Sequence, residues 1–184
     1  MINSILNLYS TTLKVCLVYF MTIFYPTYAS PDTQNTAQNW FIVDGFNPAT
    51  RKQGCYMRSA DTAVHIGEDE TKVFLLLTGR QLYIVTNSII DTSYSNSRIV
   101  VDRYDAIPVK QYLDKKTAQI NRFDPHYLAQ FVKGYRATVY MGYWPSWAKT
   151  GLQEARFDLI GFTRIYTDYI QCQAKSEILT ATGE

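Results

Sequence analysis

Histidine is almost missing from this chain: there are 2 in 184 residues, His65 and His126. Neither stands in a spacing such as His-Glu-x-x-His, so the parts of a zinc hydrolase are not there. A Gly-x-Ser-x-Gly elbow and a glycine-rich phosphate loop are lacking too, which removes the usual signs of a serine hydrolase or a P-loop enzyme. Charge of one sign is not in excess, with 18 basic against 16 acidic side chains. A nucleic-acid binder shows a basic footprint, and this chain has none. Long hydrophobic runs are also absent: residues 15–25 form an apolar stretch of about 11, where a membrane-spanning helix needs about 20. No internal repeat or low-complexity tract interrupts the sequence.

What the beginning does contain is the pattern of a secretory signal. Lys14 is the one charged residue before position 29, and it precedes the apolar stretch; Pro26 breaks the run, and Thr27-Tyr28-Ala29 puts smallish residues where a signal peptidase reads. The expectation is a signal peptide over 1–29, cleaved after Ala29, with no membrane span afterwards. The competing reading joins Ile5 to Leu17 into a longer, uncleaved anchor. Export would leave about 155 residues, enough for one domain with its own core. Within it, 30–39 is a polar, flexible lead, 40–175 a single β-rich domain and 176–184 a flexible tail.

Cysteine is scarce and informative. Cys16 lies in the apolar stretch without a lipobox and departs with the signal, leaving Cys55 and Cys172, 117 positions apart. An even pair in an oxidising compartment is normally bonded, so a Cys55–Cys172 disulfide is expected; the alternative is two unpaired thiols.

Aromatic and β-branched residues dominate the remainder, with 15 Tyr and 9 Phe. Strand-like stretches fall at 40–43, 54–59, 73–78, 81–86, 98–104, 107–112, 117–123, 135–143 and 153–159. Asp124-Pro125 supplies an N-cap and a first-turn proline for a short helix that Gly134 ends. From Gly161 onward, Phe162, Ile165, Tyr166, Tyr169 and Ile170 recur at helical spacing and Cys172 falls in the last turn. The fold class is mainly β: an antiparallel β-sandwich-like domain with two short helices, the C-terminal one tied by the disulfide.

Gly54-Cys55-Tyr56-Met57, the paired strands at 73–86, and the ending Phe157-Asp158-Leu159-Ile160-Gly161-Phe162 before a helix closing on Cys172 resemble the invasion-associated locus B family of small exported bacterial proteins. The likeness covers about residues 40–173. It departs from the family in Thr163-Arg164-Ile165-Tyr166, where alanine-rich residues are usual, and in lacking a Cys soon after Trp40. The resemblance implies a periplasmic or secreted β-rich protein without a known enzymatic activity. The same ending also resembles accessory proteins of the type VI secretion system.

Candidate chemistry is sparse, and no catalytic residue, metal site or cofactor is assigned. Glu68-Asp69-Glu70 reads as a solvated turn, since calcium needs six or more oxygens. Asp102 and Asp105 lack a partner acid in a cleft. His65 falls at a strand-like position with a structural or surface role, and His126 is solvent-facing in a helix's first turn. The richest patch is 135–149. Strand alternation places Tyr135, Ala137, Val139 and Met141 on one face and Arg136, Thr138 and Tyr140 on the other. Arg136, Tyr140, Tyr143, Trp144 and Trp147 are therefore candidate protein-binding residues, aromatics and Arg being favoured anchors. Alternatively Trp144 and Trp147 cap the core. The expected function is a non-enzymatic exported binding protein that contacts another protein. The other readings are an inhibitor or immunity protein against a cell-wall-degrading toxin or lysozyme, a type VI accessory protein, or an enzyme using dispersed carboxylates.

Overall fold

Twelve strands and two helices follow one another along the described chain. They are β1 (Trp40–Phe46), β2 (Gln53–Ser59), β3 (Thr62–Ile66), β4 (Asp69–Thr78), β5 (Gln81–Thr86), β6 (Ile90–Asp91), β7 (Arg98–Val101), β8 (Ile107–Pro108), β9 (Gln111–Asp114), β10 (Thr117–Ile120), α1 (Pro125–Lys133), β11 (Arg136–Tyr143), β12 (Gln153–Asp158) and α2 (Phe162–Ala181). The computed structural model describes residues 38–120, 123–144 and 151–181, with side chains in α2 as far as Ser176. Residues 1–37, where the signal peptide and most of the polar lead are expected, and Trp147 lie outside the described residues.

Every pairing is antiparallel. The first sheet runs β1-β2-β4-β5-β10-β9 with β3 also on β4, and the second runs β12-β11-β7-β8 with β6 also on β11. Tight turns suit this arrangement. Thr78 pairs with Gln81 across Gly79-Arg80, and Ile66 with Asp69 across Gly67-Glu68. In both turns the glycine takes a φ near +60° (57° and 65°), which a side chain would resist.

Alternation builds the core. Met57, Leu75, Leu77, Leu82, Ile84 and Ala118 point inward from the first sheet, and Ile99, Val101, Ala137, Val139, Met141 and Ala155 from the second, all fully buried. Each large side chain so placed contributes about 1.5–3 kcal/mol of apolar transfer. The second sheet shares the cover of the first with α2, which packs on β1 and β2. Phe162, Ile165 and Tyr169 are its buried stripe, and Phe162 meets Trp40 edge-on at 4.9 Å. On α1, Phe131 packs against Phe123 and Phe162. A second, smaller cluster of Tyr56, Leu76, Tyr83 and Val85 lies apart from this core. The Cys55–Cys172 disulfide is formed, with Cα atoms 6.0 Å apart, and fastens α2 to β2. The mainly antiparallel, sandwich-like architecture with two helices is thus as the sequence implied.

Several boundaries differ from expectation. The stretch 98–104 ends at Val101, because Asp102 turns out of extended backbone at φ 46°. The stretch 107–112 divides: Ile107 pairs with Ile99 in the second sheet and Gln111 with Gln119 in the first, so the chain changes sheets in between. Helix α2 continues past Cys172 to Ala181, so the stretch expected as a tail from 176 begins as helix. Of Glu68-Asp69-Glu70, Glu68 is in the turn while Asp69 and Glu70 open β4, all exposed.

Candidate functional site

The outer face of the second sheet brings together two of the predicted binding residues, Arg136 and Tyr140. Strand β11 lies between β7 and β12, and its register sets Arg98, Tyr140 and Glu154 in one row and Val100, Thr138 and Arg156 in the next. Arg98 places its guanidinium 4.3 Å from the centre of the Tyr140 ring, holding that half-buried ring flat beneath a cation. Arg156 pairs with Glu154 at 2.6 Å. Arg136 is exposed and enters no ion pair among the described residues.

The same face ends in a shallow depression of about 520 Å³, lined by Tyr135, Arg136, Tyr140, Ile160, Asp102 and Asp158 among others. Its acids are occupied with backbone. Asp102 accepts the N–H groups of Tyr135 and Arg136 on its two oxygens, at 2.8 and 3.0 Å. Asp158 accepts the N–H of Ile160 at 2.7 Å. These carboxylates thereby fix the two turns that present Tyr135 and Ile160, which are 77% and 69% exposed. A ring and a branched aliphatic are thereby exposed together in one depression.

The placement of the predicted residues divides. Arg136 and Tyr140 line the depression. Trp144 is 46% exposed just past the end of β11, its N–H donating to the Ile89 carbonyl at 2.8 Å. Tyr143 is fully buried and belongs to the core, so it presents nothing to a partner. Its direction follows from the two-residue period, which puts it on the inward side with Ala137, Val139 and Met141. Tyr135, expected on that inward side, is outside because it precedes the ladder, which starts at Arg136.

Tyr135 and Ile160 were not singled out beforehand. The signal available was their type and position: each is a large apolar residue in a turn, where polar residues are usual.

Elsewhere the chemistry-bearing side chains stay apart. His65 is exposed on β3, and His126 is exposed in the first turn of α1, with Nε2 3.4 Å from Gln130 Nε2. Among the described residues no three His, Cys, Asp or Glu side chains come close enough to hold a metal ion, and no helix is long and apolar enough to cross a membrane. Comparison with protein-family models, with curated proteins and with solved structures gives no match.

Proposed function

We propose that this chain is an exported, non-enzymatic binding protein of the bacterial envelope or secreted fraction, which meets another protein through the outer face of its second sheet. The observation that carries this is the depression lined by exposed Tyr135 and Ile160 together with Arg136, which enters no ion pair among the described residues, with both neighbouring carboxylates bound to backbone. Export is supported by the leader pattern and by a disulfide that suits an oxidising compartment. The likeness to the invasion-associated locus B family agrees with both parts of the reading.

The test is affinity capture from envelope extract with the exported protein as bait, followed by reconstitution with the purified captured protein. Arg136→Glu, and Tyr135→Ala with Ile160→Ala, are each expected to weaken the reconstituted complex at least about tenfold, roughly 1.4 kcal/mol, with far-UV circular dichroism unchanged. Undiminished binding by both variants overturns the surface assignment. Recovery of full-length chain in the cytosol, with Cys55 and Cys172 freely alkylated, overturns export. A captured cell-wall hydrolase whose activity falls on binding would specify the function as inhibition.

A further inference from the structure

Beside the disulfide, the first sheet ends in an open cleft of about 720 Å³. Three segments wall it: the loop joining β1 to β2, the turn between β4 and β5, and the part of α2 just past Cys172. Its lining is unusually uniform in chemistry. Asn47, Gln53, Gln81 and Gln173 contribute amides, and Thr50 and Thr78 contribute hydroxyls. Lys52 is the one charged side chain among the described lining residues, and no carboxylate is among them. Lys52 enters no ion pair among the described residues.

The groups are held in place. Asn47 is 3% exposed, and its Oδ1 accepts the N–H groups of Ala49 and Thr50 at 2.9 and 3.1 Å. The Lys52 carbonyl in turn accepts the Asn47 N–H at 2.8 Å, so a closed turn presents the cation. Gln81 accepts the Tyr83 hydroxyl on Oε1, a bond that does not use its two amide hydrogens. The Tyr169 hydroxyl accepts the Gly79 N–H at 2.6 Å. Phe46 stands directly across from Gln53 in the β1–β2 ladder, on the same face, with 53% of its surface exposed.

We propose that this cleft binds an acidic sugar, a segment of a carboxylate-bearing glycan. Amides and hydroxyls together supply both donors and acceptors, as ring hydroxyl groups require. Phe46 lies outside the lining, across the ladder from Gln53, where its exposed ring offers an apolar face to sugar C–H groups that extend past the cleft, and Lys52 pairs with the uronate. An extended acidic peptide fits less well. It can reach the edge of β2 at Gln53–Cys55, which the β2–β4 ladder leaves open beyond Met57–Leu77, but the described lining holds no large apolar side chain to form the pockets that strand addition uses for alternate side chains. The residues differ from those of the second-sheet depression, so this proposal and the protein-contact reading stand or fall separately.

The experiment titrates the disulfide-bonded protein with two uronate tetrasaccharides, from hyaluronate and from polygalacturonate, by calorimetry and amide NMR. A neutral N-acetylglucosamine tetramer and a glutamate-rich peptide run alongside. Expected is saturation by at least one uronate oligomer, with shifted amides in 46–55, 78–81 and 173–176. Lys52→Gln, at an exposed position, should weaken binding about tenfold, as should Phe46→Ala, while Arg136→Glu leaves it unchanged. The proposal is overturned if neither uronate oligomer saturates. It is likewise overturned if the neutral tetramer or the peptide binds as tightly, or if Lys52→Gln retains full affinity.

Discussion

Trp40 joins three elements with one side chain. It is 1% exposed, donates Nε1–H to the Asp158 carbonyl at 2.8 Å, and meets Phe162 of α2 edge-on. Removing it empties the junction between β1, β12 and α2, so Trp40→Ala should destabilise by about 3–5 kcal/mol in urea unfolding. Tyr143 behaves oppositely. Its hydroxyl is buried with no hydrogen-bond partner among the described residues, a cost that Phe would not carry. Tyr143→Phe is expected to raise stability by about 1 kcal/mol, read as a higher urea midpoint with unchanged slope.

Burial also acts on phenol ionisation: it pushes Tyr169 up to about 12, against a smaller opposing effect from the Gly79 N–H, and it pushes Tyr143 upward as well. The folded state therefore keeps these protons to higher pH than the unfolded chain, whose tyrosines ionise near pH ~10. Their contribution is fully present below about pH 10 and is lost as pH rises from there through 12. Absorbance at 295 nm followed with circular dichroism should show unfolding over that window, and Tyr143→Phe should narrow the loss.

At the scale of elements, what could be read ahead was set by how much local chemistry each one carries. Helix α1 was plain, because Asp124 accepts from the His126 and Tyr127 N–H groups and Pro125 follows it, as its residue types advertise. Helix α2 begins where its apolar stripe begins, and it continues past Cys172, through the polar Gln173, Lys175, Ser176 and Glu177 that suggest a tail, to Ala181. Strand β3 is marked in the sequence only at His65, because Thr62-Ala63 opens it weakly, and the charged start of β4 obscures the β3–β4 hairpin. The change of sheet between β8 and β9 has no local signature at all; it is a tertiary fact. The depression is similar, since Arg136 and Tyr140 were legible from alternation but Ile160 joins them only through the β11–β12 pairing.

The disulfide is the element-scale feature with the largest predicted effect. Replacing Cys55 and Cys172 with Ala together should cost about 3–5 kcal/mol, mainly through a freer unfolded chain. Helix α2 should stay docked in that variant, held by Phe162, Ile165 and Tyr169, with far-UV circular dichroism close to the parent.

Across the whole molecule, the described elements belong to one unit, Ala37–Glu184, in which two sheets and one long helix share an interior. The sheets also meet beside their ladders: Thr62 of β3 donates its hydroxyl hydrogen to the Arg156 carbonyl of β12 at 3.0 Å. Thr62→Val keeps the shape and removes that bond. It should cost about 1 kcal/mol in urea unfolding and increase hydrogen exchange along β3 and β12 ahead of the other strands.

A covalent ring closed over 117 positions also decides what a protease can accomplish. A single nick anywhere between Cys55 and Cys172 cannot shed a fragment, since both pieces remain stapled until a reductant arrives. Nicked material should therefore migrate as one band on a non-reducing gel and as two once thiol is added.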